Sequence, residues 1–293
     1  ERKLHEAELL STQAYLKSGK SYPHEALQKI WKEVLLYQFH DILPGTCIKR
    51  VYDEALERQA ALAEEIDQLS RCALDCLYTS KQLSVYNPLS WQRTQLLKTD
   101  GGYVQVTVPA FGFAPVETGK KVKYRLQAAP NRLENELIRV ELSESGFITS
   151  IYEKESQREC IPQGAIANEL VLFTDIGDAW DFPANYRDLR KAVFALKEQT
   201  FYADSGYAVL SSTYRFGNST LHQDVVLEGG TKRIDFKTTV DWHETNKMLR
   251  AEFPLAIAGD TVSCDIQFGH IRRSTKTNNR FDAAQTEIVA HKW

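Results

Sequence analysis

Near Ser80 the apolar residues change their period, and that change constrains the fold more than any single motif. Before it they recur at three- and four-residue steps, the spacing of one buried helix face. After it they alternate, as in a strand with one side buried. Leu4, Ala7, Leu10, Ala14 and Tyr15 make a first helical stripe that ends near Gly19. Ala26, Leu27, Ile30, Trp31, Val34 and Leu35 make a second, and Pro23 suits its first turn, where the missing N–H has no partner to lose. A third helix is predicted from about residue 48 to 77, with Val51, Ala55, Leu62, Ile66, Leu69 and Ala73 on its buried side. Its other side carries Lys49, Arg50, Asp53, Glu54, Glu57, Arg58, Glu64 and Glu65, which reads as a solvated face. Three such helices joined by short turns predict a three-helix bundle over residues 1–80.

Beyond residue 80, Leu83 and Val85 lead into the Asn87-Pro88 turn, and Val104, Val106 and Val108 alternate before Pro109. Further strands are predicted at 137–142, 147–152, 171–173, 207–214, 225–227, 234–240, 264–268 and 286–289. Glu144-Ser145-Gly146 and Glu228-Gly229-Gly230 are turn signals between them. Many strands without intervening helices predict a large antiparallel β-sandwich over 81–293, so the fold class is α+β in more than one domain.

The 36 basic and 39 acidic residues leave a net charge of −3, which offers no electrostatic case for nucleic acid or an anionic membrane. No apolar run approaches the length of a membrane span, and the opening residues carry no signal-peptide pattern. Cys47, Cys72, Cys76, Cys160 and Cys264 are odd in number and scattered, without the spacing of a disulfide framework or a four-cysteine zinc site. A reducing compartment, the cytoplasm, is expected. A homo-oligomer is compatible with this composition. The chain opens at Glu1 in a helical pattern and stops at Trp293 after a strand-like run, so a piece of a longer polypeptide is expected.

The stretch Gln38-Phe39-His40-Asp41-Ile42-Leu43-Pro44-Gly45-Thr46 alone joins a metal-capable pair to strong helix breakers. It places His40 and Asp41 in or just past the last turn of the second helix, facing a cleft. An imidazole beside a carboxylate can bind zinc, or the carboxylate can hold a sugar hydroxyl. The same pair also suits a plain helix C-terminus, with His40 easing the carbonyl dipole. In the β region, Asp175, Asp178 and Asp181 flank Trp180 in a turn-like stretch. Carboxylates accept from sugar hydroxyls and an indole packs on a pyranose face, though a surface loop with one anchoring Trp reads the same way. His270, Arg272 and Arg273 form a weaker candidate that alternation along a strand explains as well. No spacing nominates the two carboxylates of a glycosidase, and no Gly-x-Ser-x-Gly or phosphate-cradling glycine loop occurs.

Residues 35–46 resemble the helical-domain motif of glycoside hydrolase family 38 α-mannosidases. Val85-Tyr86-Asn87-Pro88-Leu89-Ser90-Trp91 is similar to the opening of that family's β region. Residues 133–140, 146–154, Asp178-Ala179-Trp180-Asp181, 251–255 and Ala290-His291-Lys292-Trp293 continue the likeness in order along nearly the whole chain. The resemblance implies a middle three-helix domain over 1–80, then a galactose-mutarotase-like sandwich over 81–293 truncated at its C-terminus. It implies a retaining, metal-dependent α-mannosidase that hydrolyses terminal α-mannose from oligosaccharides or glycoconjugates. His40 would be one ligand to Zn²⁺ or another divalent cation, and Asp41 would hold the mannose. Trp180 and Asp181 would touch substrate, although related sequences carry a longer stretch before that block than Asp175-Ile176-Gly177. Nucleophile, acid and remaining ligands would belong to an amino-terminal catalytic domain, so this chain contains no catalytic residue and is expected to be inactive alone. Two other readings stand beside it. A non-catalytic carbohydrate-binding module has no need of the His40-Asp41 pair, and a helical adaptor calls for a large exposed apolar patch, which the sequence does not display.

Overall fold

The computed structural model describes residues 1–177, 180–285 and 287–293. They form two compact units, Glu1–Val122 and Lys123–Trp293.

The first unit opens with α1 (Arg2–Ser18), α2 (His24–Leu36) and α3 (Lys49–Leu77). α1 stops where Gly19 adopts a φ of 71°, a left-handed value that costs glycine little, and the Gly19 N–H caps the Tyr15 carbonyl at 2.9 Å. The predicted stripes meet as spacing requires. Leu4, Ala7, Leu27, Ile30, Leu62 and Ile66 pack in one cluster, and Leu10, Ala14, Ala73 and Leu77 in a second. Tyr15, Ala26 and Leu35 depart from that pattern and are exposed. So does Arg58, which is not a solvated charge: its Nη2 donates to Glu33 Oε1 of α2 at 2.8 Å, and its Nη1 to Glu65 Oε1 of α3 at 2.8 Å. The guanidinium therefore ties α3 to α2 through the Glu33 carboxylate, while Glu65 holds it from its own helix.

Helix gives way to strand between Leu77 and Ser84, and the same compact unit runs on to Val122. Ser84–Tyr86 pairs with Phe113–Pro115, while Arg93–Thr99, Gly102–Val108 and Lys120–Val122 form a three-stranded sheet. Tyr86 and Phe113 pack against Ala73 and Leu77, which joins these strands to the helical core.

The second unit is a set of open antiparallel sheets. Gln127–Ala129, Arg132–Glu134, Ile138–Leu142, Ile148–Glu153 and Arg158–Glu159 make one; Ala195–Ala203, Tyr207–Phe216, Ser219–Glu228 and Ile234–Asp241 make another. Leu133, Ile138, Val140 and Ile148 of the first meet Ala208, Leu210, Val225 and Leu227 of the second, so the two sheets face each other across a dry core. A third sheet orders Arg190–Val193, Glu169–Thr174 and Lys247–Glu252, and Thr261–Ile266 pairs with Gly269–Ser274 as a hairpin. The architecture is α+β, with a helical amino-terminal part and an antiparallel β-rich remainder.

Two predicted strands are corrected. Residues 287–289 lack strand structure, and Thr286 lies outside the described residues. Phe268 is not in a strand: it sits in the hairpin turn with φ 62° and its ring fully exposed. Alternation also failed to expose Ala195–Ala203, an edge strand with little buried on either side.

Candidate functional site

α2 ends at Leu36, well before Pro44 and Gly45. The N–H of Tyr37 still reaches the Glu33 carbonyl at 3.0 Å, and the chain then tightens, with Gln38 N–H to Leu35 O at 3.1 Å and Phe39 N–H to Leu36 O at 3.1 Å. Such shorter-range bonds satisfy the last helical carbonyls. The Phe39 carbonyl accepts from the N–H groups of Ile42 (2.8 Å) and Leu43 (3.2 Å), and Cys47 N–H closes back on the Asp41 carbonyl at 2.9 Å. His40 and Asp41 thus sit beyond the helix, on consecutive turns whose backbone bonds are made locally.

Both side chains face solvent, His40 at 67% and Asp41 at 45% exposure, so neither belongs to the helical core. His40 Nε2 lies 3.6 Å from Asp41 Oδ2. The other carboxylate oxygen, Oδ1, accepts the Thr46 hydroxyl at 3.1 Å. The Phe39 ring lies 4.1 Å from the imidazole at 38°, an aromatic neighbour that no periodicity marked. A cavity of about 410 Å³ beside the turn is lined by Val34, Gln38, Leu43, Leu62 and Ile66 among others, and by neither His40 nor Asp41.

The surface around this turn is more apolar than expected. Leu35, Leu36, Phe39, Leu43, Ile48, Tyr52 and Leu56 are all exposed, along the end of α2, the connection and the start of α3. These residues fall on three successive segments, so no single periodicity displays them.

In the second unit Trp180 is 59% exposed, and the Asp181 carboxylate accepts the N–H of Phe182 at 2.8 Å. Asp178 and Ala179, between Asp175 and Trp180, lie outside the described residues. Arg272 is engaged by the neighbouring strand, its Nη2 donating to Thr261 at 3.0 Å, while the His270 ring lies 6.2 Å from Trp293. The site residues thus fall in two places: His40 with Asp41 in the first unit, and Trp180 with Asp181 in the second.

Among the described residues no three His, Cys, Asp or Glu side chains are grouped to hold a metal ion. A protein zinc site uses three or four protein ligands. One imidazole and one carboxylate fit such a centre only as a part, completed by groups from elsewhere.

Residues 133–293 match the model of the glycosyl hydrolases family 38 C-terminal domain, and residues 1–77 that of the alpha mannosidase middle domain. The chain belongs to glycoside hydrolase family 38. Across its full length this family 38 chain is 34% identical to alpha-mannosidase 2C1 of Mus musculus and 34% to that of Homo sapiens, and 25% to an alpha-mannosidase of Saccharomyces cerevisiae. It spans 31% of the length of the first two. The crystal structure of an alpha-mannosidase from Enterococcus faecalis V583 superposes on 94% of the chain and 44% of itself, with a TM-score of 0.73 at 15% identity, a likeness of fold.

Proposed function

We propose that this chain is the helical middle part and β part of a retaining, metal-dependent α-mannosidase that removes terminal α-mannose from oligosaccharides or glycoconjugates. The division into a middle domain over 1–80 and a β domain over 81–293 belongs to that reading. His40 supplies one ligand to Zn²⁺ or another divalent cation, and Asp41 accepts from a mannose hydroxyl. Trp180 and Asp181 contribute substrate contacts from the β part. The bound cation would polarise and position sugar oxygens. Nucleophile, acid and the other ligands come from an amino-terminal catalytic domain of the same polypeptide, and without it the chain does not hydrolyse mannosides.

One observation carries the reading. In a chain similar to α-mannosidases along its whole length, His40 and Asp41 stand 3.6 Å apart on a solvent-facing turn, beyond the helix and outside its core. The exposed apolar residues flanking that turn suit coverage by another part of the polypeptide, since a patch of this kind is unfavourable in water. All five cysteines are free, which fits a reducing compartment, and among the described residues no helix is long and apolar enough to cross a membrane.

The test is His40→Ala in the full-length polypeptide. Zinc content and turnover of an aryl α-mannoside are expected to fall together. Unchanged zinc stoichiometry removes His40 from the metal centre.

A further inference from the structure

A cleft of about 610 Å³ opens in the second unit beside the strand Lys247–Glu252 and the short helical turn Tyr186–Leu189. Three arginines line it, and each is paired with a glutamate. Arg190 lies 2.9 Å from Glu169 and 3.8 Å from Glu252. Arg250 and Arg187 lie 2.7 Å and 3.2 Å from the two oxygens of Glu287. The Tyr186 hydroxyl also donates to Glu287, at 2.5 Å, and the Arg250 guanidinium stands 4.8 Å over the Tyr186 ring. Burial on its own would raise the Glu287 carboxyl, but the hydrogen bonds from Tyr186, Arg250 and Arg187 outweigh it and keep that group below the ordinary carboxylate range.

Across the cleft the three arginines are balanced by Glu169, Glu252 and Glu287, so an entering anion meets no net positive charge. A neutral polyol needs none. Its adjacent hydroxyls can donate to the carboxylate of Glu252 and accept from the spare guanidinium N–H groups of Arg190 and Arg250, all of which line the cleft. The rim supplies the complementary apolar face. Phe253 is 41% exposed and braced edge-on by Phe236 at 5.2 Å, and Ile166 stands beside the same cleft. The volume also falls within the range of small-ligand sites.

We propose that this cleft binds a neutral saccharide, hydrogen-bonded by Arg190, Glu252 and Arg250 and packed on the ring of Phe253. The cleft itself does not need the reading of His40 and Asp41; only the choice of mannose as a probe rests on it.

Titration calorimetry of the chain with α-1,2-mannobiose and with maltose tests the assignment. At least one disaccharide is expected to bind. Phe253→Ala and Arg190→Gln are each expected to weaken that binding about fivefold, the worth of one ring contact or paired hydrogen bond, and His40→Ala to leave it unchanged. Phe253 is exposed enough that its substitution should leave the melting curve in place, so a lost affinity is not a lost fold. Binding of maltose with refusal of mannobiose supports the cleft and speaks against mannose as its ligand, leaving the metal reading to its own test. The proposal is overturned by binding of neither sugar, by unchanged affinity in Phe253→Ala, or by inorganic phosphate displacing the sugar at comparable concentration.

Discussion

Thr46 donates its hydroxyl to Asp41 Oδ1 at 3.1 Å, so that the carboxylate keeps Oδ2 turned toward His40 Nε2 at 3.6 Å. A short polar side chain five residues on thus sets the orientation of the pair. If His40 and Asp41 act as proposed, that orientation matters to both metal and sugar.

Thr46→Val keeps the shape and removes the donor. In the full-length polypeptide it is expected to weaken zinc affinity about tenfold, the low end of what supporting hydrogen bonds to metal-site groups are worth. Thr46→Ser should retain wild-type affinity. Metal titration against a competing chelator reads both, and equal affinities for all three proteins would show that the hydroxyl has no such role.

Trp180 is largely exposed, so its removal should not disturb the second unit's core. Trp180→Ala and Asp181→Asn in the full-length polypeptide are expected to raise KM for an oligomannoside several-fold while leaving kcat nearly as it was. That split is the mark of binding lost equally in ground and transition state. Steady-state kinetics decide it, and unchanged KM in both variants would exclude the two as substrate contacts.

Long-period features were legible in the amino-acid order, and short-range geometry was not. Stripes such as Leu4, Ala7, Leu27, Ile30, Leu62 and Ile66 are one cluster because burial enforces the helical period over many turns. Arg58 could not be read that way: its partner Glu33 is assigned by how α2 lies on α3, a relation no local spacing encodes. The same limit hid the arginine–glutamate cleft, whose Glu169, Arg190 and Arg250 are brought together by strand pairing across long sequence separations, with Glu287 reaching Arg250 from a segment outside the strands. At the His40 turn the breakers Pro44 and Gly45 were visible, yet α2 ends at Leu36. Its last carbonyls are met by tightening bonds instead of by a breaker at that point.

Acid should unfold the second unit in part through Glu153. Its carboxylate accepts from the Ser156 hydroxyl, from Lys232 at 3.0 Å, and from the N–H groups of Ser156 and Glu155 at 2.9 Å each. These bonds, the Ser156 hydroxyl and Lys232 foremost, pull its pKa from 4.5 down to about 2. The folded state therefore holds this proton less tightly than the unfolded state. Its stabilisation is complete above pH 4.5 and is lost as pH falls toward 2. Glu153→Gln is expected to lower the urea midpoint at pH 7 and to flatten its fall between pH 5 and pH 3, that window following from linkage at about those values. Parallel midpoint curves for the two proteins would contradict it.

Gly146 and Tyr214 make the sharpest packing test. Gly146 has a φ of 79°, and a Cβ built there would stand 2.7 Å from the Tyr214 hydroxyl oxygen. That hydroxyl is buried and donates to the Gly146 carbonyl at 2.9 Å, with the Tyr214 ring stacked on Phe147 at 5.5 Å, so it has no free direction in which to retreat. Tyr214→Phe leaves the carbonyl without its donor and is expected to cost about 1–2 kcal/mol. Gly146→Ala adds a left-handed penalty of about 1–2 kcal/mol and a clash beyond it. The double variant removes the oxygen that the new methyl would strike, so its cost should fall short of the sum of the singles. Urea denaturation of the four proteins measures the cycle. Strict additivity would mean that the turn shifts on its own to accept the alanine, and that Tyr214 does not hold it.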